Sequence, residues 1–183
     1  MKRMLFPVSG FLFIFIIACE SKSQNPPPKT SLIITSTGLD SLQLGMSKAE
    51  LEKLLQTKIK LDHINVDGGP YDTFTTKYKG VEVTLFLDEG DNQTIAELYG
   101  LQTSDPSCKT TSGIGAGTEK AKVIDTYTLH RKFIAPEYET YPVRSKTKSA
   151  VAVMDTMDNK ALVFHILNRK VSSMEVCSYY EFY

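Results

Sequence analysis

The chain has 183 residues, of which 42% are hydrophobic, and its 21 basic and 21 acidic residues give a net charge of zero. This length suffices for one domain with a substantial core, or for two small units that share one. No long basic run appears, so the sequence argues against nucleic acid as a partner.

The first 18 residues have the features of a lipoprotein signal peptide. Lys2 and Arg3 precede an apolar run at 5–18, which is shorter than the roughly 20 residues that a membrane-spanning helix needs. The run ends in Ile16-Ile17-Ala18-Cys19, which resembles the bacterial lipobox, with isoleucine where leucine is usual. The resemblance implies cleavage before Cys19 and lipid attachment to it. An ordinary secretory signal or an uncleaved anchor is the alternative.

Residues 19–30 are predicted to be a flexible tether. They are mostly polar and contain Pro26-Pro27-Pro28, which favours an extended polyproline II conformation. Glu20, and not aspartate, follows Cys19. By resemblance to the usual sorting pattern of lipoproteins, this implies the outer membrane. We expect a cell-envelope protein that is anchored at Cys19 and faces the periplasm, with the inner membrane or the other face as alternatives.

Two cysteines remain once Cys19 carries lipid. In an exported protein an even pair favours a disulfide, and we predict one between Cys108 and Cys177. It would close a loop of about 70 residues and stabilise the fold by roughly 4 kcal/mol. Two separate thiols are the alternative. No C-x-x-C motif is present, so the sequence gives no support for a thiolate metal site.

The stretches 42–55 and 114–127 share one pattern, in which apolar residues lead to a glycine, a polar cap and a short helix. Aligned without gaps, Gly45 matches Gly117 and Leu51 matches Val123. Strand-like sequence follows each copy. The pattern predicts two tandem units, at 31–103 and 104–183.

In the first unit, Ser47 and Glu50 fit a capping box at the start of a helix that should end at 56–58. Leu51 belongs to the apolar stripe of this helix. Residues 63–70 are turn-rich and are predicted to be a loop. Alternating residues predict strands at 73–78, 81–87 and 94–101. The acidic stretch at 89–92 is interpreted as a solvated turn, because it lacks the ligand spacing of a calcium loop.

In the second unit, the glycines at 113–117 lack the spacing of a phosphate-binding loop and are interpreted as an entry turn, with Thr118 as the N-cap. Residues 131–148 contain two prolines and are predicted to be an irregular loop, with a mobile binding loop as the alternative. Strands are predicted at 150–156, 160–167 and 171–177. The aromatic tail at 179–183 is expected to pack on a sheet edge or to act as a docking peptide.

These elements predict an α+β fold of two tandem units. Each unit is expected to have a short helix followed by a three-stranded antiparallel meander. The two meanders would form a continuous or paired sheet with the helices on one face.

The segment Leu44-Gly45-Met46-Ser47, with Glu50 and Leu51, resembles the small-lipoprotein domain of the SmpA/OmlA (BamE-like) group. The second glycine turn and helix extend the resemblance, and a tandem pair is similar to the duplicated fold of the β-lactamase inhibitor protein. The BamE-like domain is usually single, whereas the pattern occurs twice here. The resemblance implies a protein-binding or envelope-assembly module and not an enzyme.

The chain shows no catalytic signature, and we expect no cofactor and no metal. His63, His130 and His165 have no metal-ligand spacing, and no nucleophile-elbow motif occurs. His165 is either a partly buried histidine with satisfied hydrogen bonds or a functional group. The expected contact surface for a protein partner is the aromatic and polar face of the sheet, with Phe86, Tyr99 and His165 as candidate contacts. A carrier or sensor of a small apolar ligand is the alternative function.

Overall fold

A computed structural model describes residues 31–66, 69–88, 96–140, 142–155 and 159–178. The predicted signal peptide at 1–18, the tether at 19–30 with Cys19, the acidic turn at 89–92 and the aromatic tail at 179–183 lie outside these ranges. Within the ranges, no helix has the length and apolar character needed to cross a membrane.

The described part of the chain forms twelve strands and two short helices. In chain order they are β1 (Leu32–Thr35), β2 (Gly38–Leu39), β3 (Leu42–Gln43), α1 (Lys48–Leu55), β4 (Asp62–Val66), β5 (Gly69–Tyr78), β6 (Val81–Asp88), β7 (Glu97–Thr103), β8 (Cys108–Lys109), α2 (Lys120–Thr126), β9 (Lys132–Thr140), β10 (Val143–Asp155), β11 (Lys160–Leu167) and β12 (Lys170–Ser178).

The strands form two sheets. A small sheet has the order β3-β2-β1-β8, and a large sheet has the order β4-β5-β6-β7-β12-β11-β10-β9. All neighbours in the large sheet are antiparallel. The large sheet therefore consists of two four-stranded meanders, β4 to β7 and β9 to β12, which join where β7 pairs with β12. The first strand of each meander forms an outer edge.

The predicted α+β class is wrong, because strands dominate and the two helices have only 8 and 7 residues. The predicted three-stranded meanders are also wrong, since each described meander has four strands. The strands that were missed, β4 and β9, are the edges. Pro136 lies within β9, and proline is tolerated on an edge strand because its missing N–H costs no ladder hydrogen bond. The predicted irregular loop at 131–148 thus contains β9 and the start of β10.

The main hydrophobic core lies on one face of the large sheet, which we call the inner face. It brings together Leu51 of α1, Val123 of α2, Ile34 of the small sheet, and Leu85 and Phe164 of the large sheet, all of them fully buried. The helices and the small sheet therefore cover the inner face of both meanders. A smaller cluster lies on the opposite, outer face and contains Ala150, Ala152, Ala161, Val163 and Cys177, with Met154 packed against it.

The two helix entries have the same backbone geometry. Gly45 has φ of 85° and Gly117 has φ of 86°, a region that favours glycine. This equivalence confirms the interpretation of the second glycine run as an entry turn.

The same three backbone hydrogen bonds also join each entry to the last strand of its own meander. In the first copy, the N–H of Gly45 donates to Leu98 O at 2.7 Å, the N–H of Leu98 donates to Met46 O at 2.8 Å, and the N–H of Lys48 donates to Ala96 O at 2.8 Å. In the second copy, the N–H of Gly117 donates to Val171 O, the N–H of Val171 donates to Thr118 O, and the N–H of Lys120 donates to Arg169 O, each at 2.8 Å.

The two helices differ in their caps. The predicted capping box of α1 is confirmed: Ser47 Oγ accepts from the N–H of Glu50 at 3.4 Å, and Glu50 Oε2 accepts from the N–H of Ser47 at 2.8 Å. The prediction that Thr118 is the N-cap of α2 is wrong. Glu119 occupies that position and makes no side-chain cap bond, while Thr118 Oγ1 accepts from the N–H of Gly115 at 3.1 Å.

Candidate binding surface

The outer face of the large sheet carries a polar strip near its centre. Thr84, Gln102 and Glu175 are register partners across β6, β7 and β12, so their side chains share this face. Gln102 Nε2 donates to Ser173 Oγ at 3.1 Å. One face of an antiparallel sheet commonly meets solvent or a partner, and here it is the face without helices.

His165 lies on this face between two carboxylates. Its Nδ1 is 3.1 Å from Glu137 Oε1, and its Nε2 is 2.8 Å from Glu175 Oε2. Burial alone would lower the pKa of His165. The hydrogen bonds and charges of Glu175 and then Glu137 outweigh burial, so the pKa is raised above its ordinary value. The geometry fits an imidazolium that donates from both ring nitrogens.

A β-bulge aims Glu175 at His165. His165 pairs with Ser173 whereas Ile166 pairs with Val171, so Ser172 is an extra residue in β12. Ser172 Oγ donates to the carbonyl of His165 at 3.1 Å, which holds the bulge in place. Without the extra residue, Glu175 would point to the inner face, because one residue of register reverses the side-chain direction.

Phe86 and Tyr99 form a separate aromatic pair. Their ring centroids are 6.2 Å apart and the ring planes are tilted by 50°. Phe86 shares the outer face with His165, but the register places them three strands and about four residues apart, or roughly 20 Å. The structure therefore does not bring the three predicted contact residues together.

The edge strand β9 exposes apolar side chains. Among the described residues β9 pairs only with β10, on one side. Ile134 and Tyr138 on β9 are 51% and 44% exposed, and Val143, at the start of β10, is 59% exposed. Glu137 lies between them on the strand and contacts His165. Edge strands can accept another strand through their outward-directed backbone groups.

A cleft lies beside the end of α2. This cleft has a volume of about 550 Å³ and is lined by residues that include Ile34, Tyr127, His130 and Asp155. The rings of Tyr127 and His130 meet edge to face, with centroids 5.4 Å apart. Leu129, which also lines the cleft, is 97% exposed. The cleft thus combines an apolar floor with a polar rim.

The predicted bridge between Cys108 and Cys177 is wrong. Cys177 is a buried free thiol in the small outer cluster, whereas Cys108 packs in the main core. Alternation along β12 places Val176 in the main core and Cys177 on the outer face. Burial raises the pKa of the Cys177 thiol, and the charge of Glu175 adds to the effect. The thiol is therefore protonated and weakly nucleophilic.

The remaining histidines lie apart from His165. His130 lines the cleft, and His63 belongs to β4, with its side chain outside the described part. Among the side chains that are described, no three histidine, cysteine, aspartate or glutamate residues are arranged to hold a metal ion.

No protein-family model, curated protein or solved structure matches the chain.

Proposed function

We propose that the chain is a bacterial envelope lipoprotein, anchored through Cys19, that binds another protein and performs no catalysis. The observation that carries this proposal is the β9 edge, defined as Lys132–Thr140, with the exposed side chains of Ile134 and Tyr138. The lipobox-like sequence before Cys19 and the resemblance to BamE-like domains support the envelope location and the assembly role.

The expected partner is an extended protein segment that adds to the sheet beside β9. Main-chain hydrogen bonds would give affinity, and apolar side chains would pack on Ile134 and Tyr138. Pro136 has no N–H, so at that residue the partner can only donate to the carbonyl oxygen. The cluster of Glu137, His165 and Glu175 carries a net charge of −1 when the histidine is protonated. It favours a basic residue in the partner.

Crosslinked capture from native envelopes tests the proposal. The Ile134→Lys change places a charge on the β9 edge, which opposes the addition of a strand. Ile33→Lys is the matched control, because Ile33 is 40% exposed but lies on β1 of the small sheet. We expect one partner to be captured by the wild type and by Ile33→Lys, and to be lost with Ile134→Lys. Equal capture by both variants would contradict the proposal.

The anchor is tested separately by Cys19→Ser. We expect this variant to move from the membrane fraction to the soluble fraction, because one or more acyl chains would no longer hold it. Retention of the variant in the membrane fraction at the wild-type level would contradict lipid attachment at Cys19.

A carrier of a small apolar ligand is the second candidate, and the cleft of about 550 Å³ favours it. The volume lies in the range of small-molecule sites. The apolar residues Ile34, Val153 and Leu162 line the cleft but are almost fully buried, while Leu129 exposes its side chain there. Mass spectrometry of organic extracts from the purified protein tests this function. We expect a stoichiometric apolar compound in the wild type and less of it in Thr111→Trp, which narrows the cleft at an exposed lining residue. A blank extract from the wild type would remove this candidate.

A further inference from the structure

A basic pocket lies where β11 turns into β12, and it adjoins the β9 edge, because Ile134, Ala135 and Pro136 also line it. Five of the residues that line this concavity of about 390 Å³ are cationic, and none carries a carboxylate. They are Lys120 of α2, Arg144, Lys146 and Lys148 of β10, and Arg169 of the β11–β12 turn.

Backbone hydrogen bonds hold the three cationic segments together. The N–H of Asn168 donates to Thr147 O at 2.9 Å, which ties the turn to the basic part of β10. The N–H of Lys120 donates to Arg169 O at 2.8 Å, which ties the turn to α2. Lys120 Nζ also donates to Ser149 Oγ at 2.9 Å. These hydrogen bonds fix the relative positions of α2, β10 and the β11–β12 turn, which carry the five positive charges.

The nearby carboxylates contact groups other than these five cations. Glu119 lies 3.6 Å from Lys170 Nζ, Glu137 contacts His165, and Glu139 accepts from Ser145 Oγ at 3.1 Å. Within the described ranges, none of the five cations of the basic pocket forms an ion pair. The whole chain has no net charge, so the pocket is a local concentration of positive charge.

Arg169 occupies an unfavourable backbone conformation. Asn168 and Arg169 form the centre of a two-residue hairpin turn and have φ of 50° and 68°. Glycine is the usual residue at the second of these positions, since a larger side chain is disfavoured at positive φ. The chain thus carries a guanidinium at a position where the backbone favours glycine. Residues held in disfavoured backbone conformations cluster at binding and catalytic sites.

We propose that the basic pocket binds a phosphate-bearing anion. Arg144 and Arg169 can each offer two parallel N–H donors to a phosphate, while the lysines add compact positive charges. Thr147 and Ser149 also line the pocket and offer neutral hydroxyl groups, whereas the Ser145 hydroxyl already donates to Glu139. Five cations without a lining carboxylate match a multiply charged phosphate group better than a single carboxylate. The phosphate can come from a soluble compound or from the headgroup of an anionic membrane lipid.

Calorimetric titration of the full chain in neutral detergent tests the proposal. Pyrophosphate represents the soluble source, and glycerophosphoglycerol, a deacylated lipid headgroup, represents the membrane source. Zwitterionic glycerophosphocholine is the ligand control. We expect saturable binding of at least one of the two anions, weakened by added salt because the interaction is electrostatic. The tighter of the two ligands identifies the source. No saturable binding of either anion would overturn the proposal.

A charge-matched pair of variants locates the site. The triple change Arg144→Gln, Lys146→Gln and Lys148→Gln is expected to weaken binding by about tenfold or more, because hydrogen bonds to ions are stronger than neutral ones. The control changes Lys77→Gln, Lys109→Gln and Lys122→Gln remove the same charge from exposed positions elsewhere. We expect them to change the affinity by less than about twofold. Equal losses in the two triple variants would overturn the proposal.

Arg169→Gly provides a test that does not depend on the folding of the triple variant. Glycine suits the φ of 68° at this position, so we expect a thermal midpoint no lower than that of the wild type. We also expect weaker anion binding. Unchanged affinity in this variant would contradict the assignment of Arg169 to the site.

Discussion

At the scale of single residues, His165 shows how tertiary contacts set the charge of a side chain. A neutral imidazole has one N–H, so one of its two carboxylate neighbours would face a ring lone pair. A protonated ring satisfies Glu137 and Glu175 together. The raised pKa of His165 follows from this geometry, although burial works against the charged form.

The raised pKa predicts how His165 contributes to stability as pH changes. The contribution is fully present below the unfolded-state pKa, near 6.5, and is lost as pH rises through the higher folded-state value. We therefore expect His165→Gln to lower the free energy of unfolding more at about pH 6 than at about pH 9. Urea unfolding at the two pH values measures this difference, with His130→Gln as the exposed control. A larger loss at the higher pH would contradict the role of the two carboxylates.

The candidate site could be predicted from the sequence only in part. His165 stands out because it interrupts an apolar strand, and its strand at 160–167 is confirmed. Glu175 could not be assigned, because the extra residue Ser172 reverses the face on which it lies. Glu137 could not be assigned either, because Pro136 made its edge strand look like a loop. The predicted disulfide between Cys108 and Cys177 was wrong for a related reason, because an even number of cysteines gives no information on which face of a sheet each thiol occupies.

At the scale of elements, the two entry glycines and the capping box of α1 were the most predictable features. A capping box and an entry glycine act through local backbone geometry, so residues close in sequence suffice to recognise them. Edge strands depend on their neighbours in space, and for that reason β4 and β9 were missed. The alignment of Gly45 with Gly117 matched two residues with equivalent backbone conformations, because both have positive φ.

The entry glycines predict matched losses of stability in the two copies. A Cβ at Gly45 or Gly117 would meet no atom within 4 Å, so only the positive φ opposes a side chain. We expect Gly45→Ala and Gly117→Ala each to lower the free energy of unfolding by about 1 kcal/mol. Asparagine tolerates this conformation, so the corresponding Asn variants should lose less. Urea denaturation measures both effects, and equal losses for Ala and Asn would contradict the backbone explanation.

The caps predict opposite effects in the two helices. Ser47→Ala removes the capping box of α1 and should lower the free energy of unfolding by about 1 kcal/mol. Glu119→Ser introduces a capping hydroxyl at α2 and should raise it by about 0.5 kcal/mol. Little is lost with the Glu119 carboxylate, because its 3.6 Å pair with Lys170 is exposed. Thermal and urea unfolding test both signs, and a stability gain from Ser47→Ala would refute the assignment.

At the scale of the whole molecule, one core spans both meanders. Leu85 belongs to the first meander and Phe164 to the second, yet both are fully buried in the same cluster. The two halves therefore share their main source of stability, the burial of apolar surface.

The shared core predicts a single unfolding transition. We expect Leu85→Ala and Phe164→Ala each to lower the free energy of unfolding by about 2–5 kcal/mol, and each to shift the same transition. Scanning calorimetry measures this through the agreement of the calorimetric and van't Hoff enthalpies. Two resolved transitions, each sensitive to one of the substitutions, would contradict a common core.

The pairing of β7 with β12 joins the last strand of one meander to the last strand of the other. A chain with only one meander would leave that strand open, and two such chains could close it by the same antiparallel contact in a two-fold dimer. With both copies in one chain, the closure does not depend on protein concentration. It also allows the copies to differ: Ala96 stands where the second copy carries Arg169, which lines the basic pocket.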